Sequence, residues 1–310
     1  VELVSPPQAL CLRRWPDQQQ DIERLREIHR AQHWAARQLP FVPLLCATPA
    51  GETLVAADGA WWELAAWLPG AANYHQRPSE QKLIAALHAV ARLHLCWGAL
   101  AATDALSSSP PPAIVRRLER LTWLETSGIA AIRKALADGP AIADAIQGLP
   151  LRAVRLLTLF EAFAPALRQQ LTRAVHLTVP LQTCLRDIWC EHVLFSGDNV
   201  TGIVDYGALG VDTVAADVAR LLGSLARDDA EAWQTGLKAY QEHRLLSVDE
   251  VALVAACDFA NALLSGMNWL VWLLVEQRHF ENHANVLARI DESLARMEYR
   301  KQQSAIWYPE

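Results

Sequence analysis

Two kinds of hydrophobic spacing divide the chain. The first seventy or so residues hold short apolar runs bounded by turn residues. "ALCLRRW" (9–15) reads as a strand that stops at Pro16-Asp17, with "VELVS" ahead of Pro6-Pro7 as its expected hairpin partner. "DQQQDIERLREIHRAQHWAARQL" (17–39) then places Ile22, Leu25, Ile28, Ala35 and Leu39 on one helical face. "FVPLLCAT" (41–48) and "TLVAADGAWWELAAWL" (53–68) read as strands separated by the turn "PAGE", and Pro69-Gly70 ends the pattern. Residues 1–68 are therefore expected to form a small mixed lobe.

From residue 69 to 310 the period is mostly helical. "SEQKLIAALHAVARLHLCW" (79–97) opens on Ser79 as an N-cap, and "SSSPPPA" (107–113) reads as a surface connection. Further helices are expected at 113–126, 129–137, 141–148, 151–173, 213–226, 229–242, 248–280 and 282–301. Two β-prone runs interrupt them. "HVLF" (192–195) and "NVTGIVD" (199–205) flank Ser196-Gly197-Asp198, a hairpin signal. Folding about Gly197-Asp198 sets His192 beside Asp205, with Asp187 on the loop entering the same end. The spacing alone thus gathers Asp187, His192 and Asp205 into one candidate site.

Composition narrows the class. With 310 residues, 52% of them hydrophobic and 20% charged, the chain buries a sizeable core. A net charge of −6 argues against a non-specific nucleic-acid binder, which needs clustered cations to neutralise phosphates. The six cysteines are scattered without metal-type spacing, as expected of free thiols in a reducing, cytoplasmic setting. The most apolar stretch, 251–275, is interrupted by Asp258, Asn261 and Asn268, so a buried core helix is expected there rather than a membrane span.

The segment 184–222 carries a specific resemblance. Arg186-Asp187, His192 five residues after that aspartate, and Asp205-Tyr206-Gly207 follow the order of a kinase catalytic loop and its metal-binding tripeptide. With Asp217 in "AADVARLL" and the helix "LHAVARLH" (87–94), the chain resembles the aminoglycoside phosphotransferase and choline kinase-like superfamily. That resemblance implies an α+β, two-lobed, protein kinase-like fold: a β-rich nucleotide lobe over 1–68 and a larger helical lobe over 69–310. It implies ATP and magnesium as cofactors, a small-molecule hydroxyl as acceptor, and neither nucleic acid nor membrane as partner. Asp187 matches the catalytic aspartate and Asp205 the metal-binding one. Arg13, or Arg14, stands where a strand lysine contacts the nucleotide phosphates. Glu27 or Glu23 would pair with that cation, and Ala66 to Leu68 match the linker that holds the adenine.

Three departures qualify what the resemblance implies. His192 replaces an asparagine; as a metal ligand it suits manganese better than magnesium, which prefers oxygen. Arginine for lysine keeps the charge but changes its shape. Only eight residues precede "ALCLRRW", too few for a first strand and a glycine-rich loop, so the small lobe is expected to be incomplete. A kinase-like binding or regulatory protein with impaired catalysis is therefore the alternative. Asn268, Trp272 and Glu276 share a helical face that either holds a cationic substrate or packs as core.

Overall fold

The computed structural model describes residues 9–16, 21–101, 110–139 and 146–307. The expected strand "VELVS" and the expected helix over 141–148 fall wholly or mostly outside these residues. The chain divides into two compact units, each built from two stretches: 1–107 with 180–246, and 108–179 with 247–310.

In the first unit, β1 (Leu10–Arg14), β2 (Val55–Ala57) and β3 (Ala60–Ala66) form an antiparallel sheet in the order β1-β3-β2. β2 and β3 meet at Asp58-Gly59, both with positive φ (50° and 70°), the conformation a two-residue hairpin turn requires. The register sets Arg13 directly opposite Glu63. Helix α1 (Ile22–Ala36) starts four to five residues later than its pattern, because Asp21 caps it through the N–H groups of Glu23 and Arg24. The strand expected over 41–48 reduces to a single bridge, Leu45 to Ala65.

Helix α2 (Glu80–Ala101) supplies the core of this unit: Leu83, Leu87, Val90, Leu93 and Trp97 are all buried. It packs on the stretch 180–246, which explains why the first compact unit extends past residue 68 and takes in that later segment. The hairpin β5 (Val193–Ser196) and β6 (Asn199–Ile203) turns at Gly197-Asp198, as its sequence predicts, with a bulge between Leu194 and Phe195. The segment after β3 is stitched to it by paired backbone bonds between Ala71 and Phe195, 3.0 and 2.9 Å. Gly70 makes this approach possible: its φ is 104°, and a Cβ there would lie 2.3 Å from Thr201 Oγ1 and 2.8 Å from Phe195 O.

Helices α3 (Pro112–Trp123), α4 (Ile129–Ala137), α5 (Leu149–Ala174), α6 (Val214–Leu225), α7 (Ala230–Gln241), α8 (Val248–Leu270) and α9 (His283–Trp307) complete the chain, with β4 (Gln182–Cys184) paired to β7 (Gly210–Asp212). The second unit is wholly helical among the described residues. Its long apolar α8, capped by a Ser247/Glu250 box, runs on through a π-helical turn to Val275, five residues short of the expected end. In its most apolar window 67% of residues are buried, so it serves as a core helix.

Candidate active site

β4 ends at Cys184, and the chain turns through Arg186 at φ 68°, a left-handed conformation costly for arginine. Asp217, fully buried in the first turn of α6, stabilises the turn. Its carboxylate accepts the N–H groups of Leu185 and Arg186, both at 2.7 Å, and His94 Nε2 at 3.0 Å. His94 Nδ1 in turn meets the Tyr240 hydroxyl at 2.8 Å. The helix N-terminus adds a favourable field for the buried charge.

His94, Cys184 and Asp217 offer ligand atoms within 4.8 Å of one another. They do not suit a metal. Both imidazole nitrogens and both carboxylate oxygens are already hydrogen-bonded, and Cys184 donates to the Asp212 carbonyl. Burial, then the charges of Asp217 and Asp212, push the Cys184 thiol well above its usual range, so the thiolate a metal needs is disfavoured. The cluster locks the loop.

The loop presents Asp187, whose side chain is 50% exposed. Arg220, one turn beyond Asp217 on α6, donates to Asp187 Oδ1 from Nη2 at 2.8 Å and Nε at 3.2 Å. Asp205 follows β6 at φ 62° and is 46% exposed; its Oδ1 lies 3.2 Å from Arg13 Nη2. His192 stands between them. Its Nδ1 is 2.9 Å from the Asp187 carbonyl, and its Nε2 is 3.7 Å from Asp205 Oδ2 and 2.8 Å from Trp189 Nε1.

These partners fix the ring's tautomer. A carbonyl only accepts, so Nδ1 carries the proton; an indole N–H only donates, so Nε2 accepts. In this arrangement Trp189 takes the Nε2 lone pair that a metal would use, and the ring stands between the two aspartates. For a hard divalent ion, Asp205 offers a half-exposed carboxylate, the oxygen donor such an ion prefers.

Arg13, 3.2 Å from Asp205, is stacked over Trp15 at 4.4 Å. Its expected carboxylate partner is not Glu27, which is 69% exposed and lies 3.9 Å from Arg30, nor Glu23, which pairs with Arg26. Glu63 takes that place, 3.9 Å from Arg13, buried, and held by Trp15 Nε1 and His29 Nε2 at 2.8 Å each. The sequence carried the signal, a lone carboxylate inside the apolar strand "AWWELAA" directly opposite Arg13. Arg220 and Trp189 were also missed; Arg220 lies three residues from Asp217, on the same helical face.

The Ala66 N–H donates to Leu44 O at 2.8 Å and the Trp67 N–H to Ala9 O at 2.9 Å. Leu68 N–H has no backbone partner among the described residues. Beside it, Trp67 is 60% exposed.

Residues 1–252 match the phosphotransferase enzyme family, and the chain belongs to it. Solved structures share its fold. A spectinomycin phosphotransferase, solved with ADP and spectinomycin, superposes with a TM-score of 0.60 at 10% identity, over 96% of this chain and 88% of its own. An amicoumacin kinase, solved with AMP-PNP, Ca2+ and Ami, gives 0.58 at 12%, over 93% and 81%. A choline/ethanolamine kinase family protein of Mesorhizobium loti gives 0.51 at 18%, over 94% and 81%. No curated protein sequence matches the chain. The fold is thus α+β and protein kinase-like.

Proposed function

We propose that the protein transfers the γ-phosphoryl group of a nucleoside triphosphate, ATP in the first instance, to a hydroxyl of a small polar molecule. The observation that carries this reading is the His192 ring set between Asp187 and Asp205, at 2.9 Å from the carbonyl of one and 3.7 Å from the carboxylate of the other. Two accessible carboxylates at a fixed separation suit two jobs, base and metal holder.

Asp187 Oδ2 accepts no hydrogen bond among the described residues, so it is the atom offered to the acceptor hydroxyl, while Arg220 holds Oδ1. As the acceptor oxygen bonds to the γ-phosphorus, its proton passes to Asp187 and the bond to the β-phosphate oxygen breaks, leaving the diphosphate. Asp205 would hold a magnesium or manganese ion, which neutralises phosphate charge when bound. Arg13, backed by Glu63, turns its guanidinium to the phosphates once they compete for it with Asp205. Leu68 N–H and the exposed Trp67 ring are the groups that the linker offers a nucleobase.

A second reading, a kinase-like binding protein with impaired catalysis, draws on the same contacts. Arg13 and Asp205 neutralise one another at 3.2 Å, and Trp189 occupies His192. The test incubates the full chain with ATP, magnesium or manganese, and a panel of sugars, sugar acids, amino alcohols and aminoglycosides. Metal-dependent phosphorylation of an acceptor supports transfer. Metal-dependent ATP binding with no turnover on any acceptor supports the second reading, and absence of ATP binding overturns both.

A further inference from the structure

The helical unit carries an excess of hydrogen-bond donors where α3 meets α8. Arg117 and Arg120 lie one turn apart on α3 and are both half-buried. Neither guanidinium is hydrogen-bonded to a carboxylate among the described residues. Arg117 donates to Asn261 Oδ1 at 2.9 Å and to the Ala113 carbonyl at 3.0 Å; Arg120 Nε donates to Asn268 Oδ1 at 2.8 Å. Because each amide turns its oxygen to an arginine, its NH2 group adds more donors. Asn261 Nδ2 is buried and has no hydrogen-bond partner among the described residues.

A charged guanidinium has five N–H groups and no acceptor, and half-burying one against a neutral amide leaves its charge poorly compensated. Burial pulls the pKa of Arg120 below its usual range, only partly offset by Glu276. Trp123 covers one face of Arg120 at 4.4 Å. π-helical turns follow Trp123 and Leu270 immediately, and such turns often accompany functional sites.

The face of Asn268, Trp272 and Glu276 is not free to take a cationic substrate. Arg120 occupies Asn268, while Arg278 stacks on Trp272 at 5.1 Å and bonds Glu276 at 2.6 Å. The protein's own cations fill those places, and what the α3–α8 junction still lacks is a negatively charged acceptor of hydrogen bonds.

We propose that Arg117, Arg120, Asn261 and Asn268 form a binding site for a carboxylate or phosphate ester. Charge-assisted bonds to a planar guanidinium suit both groups.

Calorimetric titration of the full chain with gluconate, glucose 6-phosphate, glucose and glucosamine tests this. At least one of the two acids is expected to bind about tenfold or more tightly than glucose and glucosamine; the tighter acid tells which oxyanion the site takes. Asn268→Asp supplies Arg120 with an internal carboxylate while keeping side-chain size, so it should weaken that binding about tenfold and leave the melting temperature equal or higher. Arg120→Gln should weaken it as well. Magnesium-dependent ATP binding, followed in the same samples, should be unchanged in both variants; its loss in the parent protein would count against the transfer reading and not against this site. Equal affinity for glucose or glucosamine, no binding of either acid, or acid binding that survives Asn268→Asp overturns the proposal.

Discussion

Asp217 and Asp187 are thirty residues apart and joined through one short loop, yet their surroundings are opposite. Asp217 is fully buried, and both its oxygens are committed to Leu185, Arg186 and His94. Asp187 is half exposed and held on one oxygen only. The difference separates holding from working. A buried carboxylate tolerates desolvation only because every lone pair it turns inward is used, and that makes it rigid. A carboxylate meant to exchange a proton with a ligand keeps an oxygen and a path to solvent.

Removing the anchor is expected to have the largest effect. Asp217→Ala leaves two backbone N–H groups and His94 buried without their acceptor, at a cost of about 3–5 kcal/mol; chemical denaturation measures it. A loss below about 1 kcal/mol would show that the loop does not depend on Asp217.

Tyr206 is the exception on the buried side. Its ring packs edge-on to Trp97, but its hydroxyl is buried with no hydrogen-bond partner among the described residues, and burial alone drives its pKa upward. Tyr206→Phe should therefore stabilise the fold by about 1 kcal/mol, read as a higher denaturation midpoint. Destabilisation would mean that the hydroxyl has a role in holding the site.

The exposed side should respond weakly. Arg220→Gln breaks a pair whose partners are 35% and 50% exposed, so stability should change by no more than about 1 kcal/mol. The smallest effect is expected from Arg152 and Asp291, a two-bond surface pair in the helical unit at 2.6 and 2.8 Å. Hydrogen bonds from Arg152 hold the Asp291 carboxyl below its usual range. A folded-state pKa below the unfolded one adds stability above about pH 4, and that stability is lost as pH falls through the folded value. Asp291→Asn should accordingly be slightly less stable than the parent at pH 7, with the gap closing in acid; a gap independent of pH would contradict the pairing.

Much of the site could be read in the sequence because it is local. The hairpin about Gly197-Asp198 follows from two β-prone runs and a glycine, and it delivers His192 to Asp205 whatever surrounds it. What the sequence left hidden depends on long-range partners. Glu63 becomes the neighbour of Arg13 only through strand register, whereas Glu27 and Glu23, the two partners the resemblance left open, lie by Arg30 and Arg26 of their own helix. The state of His192 depends on Trp189, three residues away, whose indole removes the lone pair a metal would need. In the helical unit, the aromatic face on α8 was visible, but not the arginines that already occupy it.

The most direct test of the central claim is γ-phosphoryl transfer from ATP by Asp187→Asn, measured beside the parent protein on the same acceptor panel and with both melting curves recorded. Because Asp187 is half exposed, the variant should fold with stability within about 1 kcal/mol of the parent and lose about a hundredfold or more in turnover. A folded Asp187→Asn protein that transfers phosphoryl groups at the parental rate would contradict the role assigned to this carboxylate.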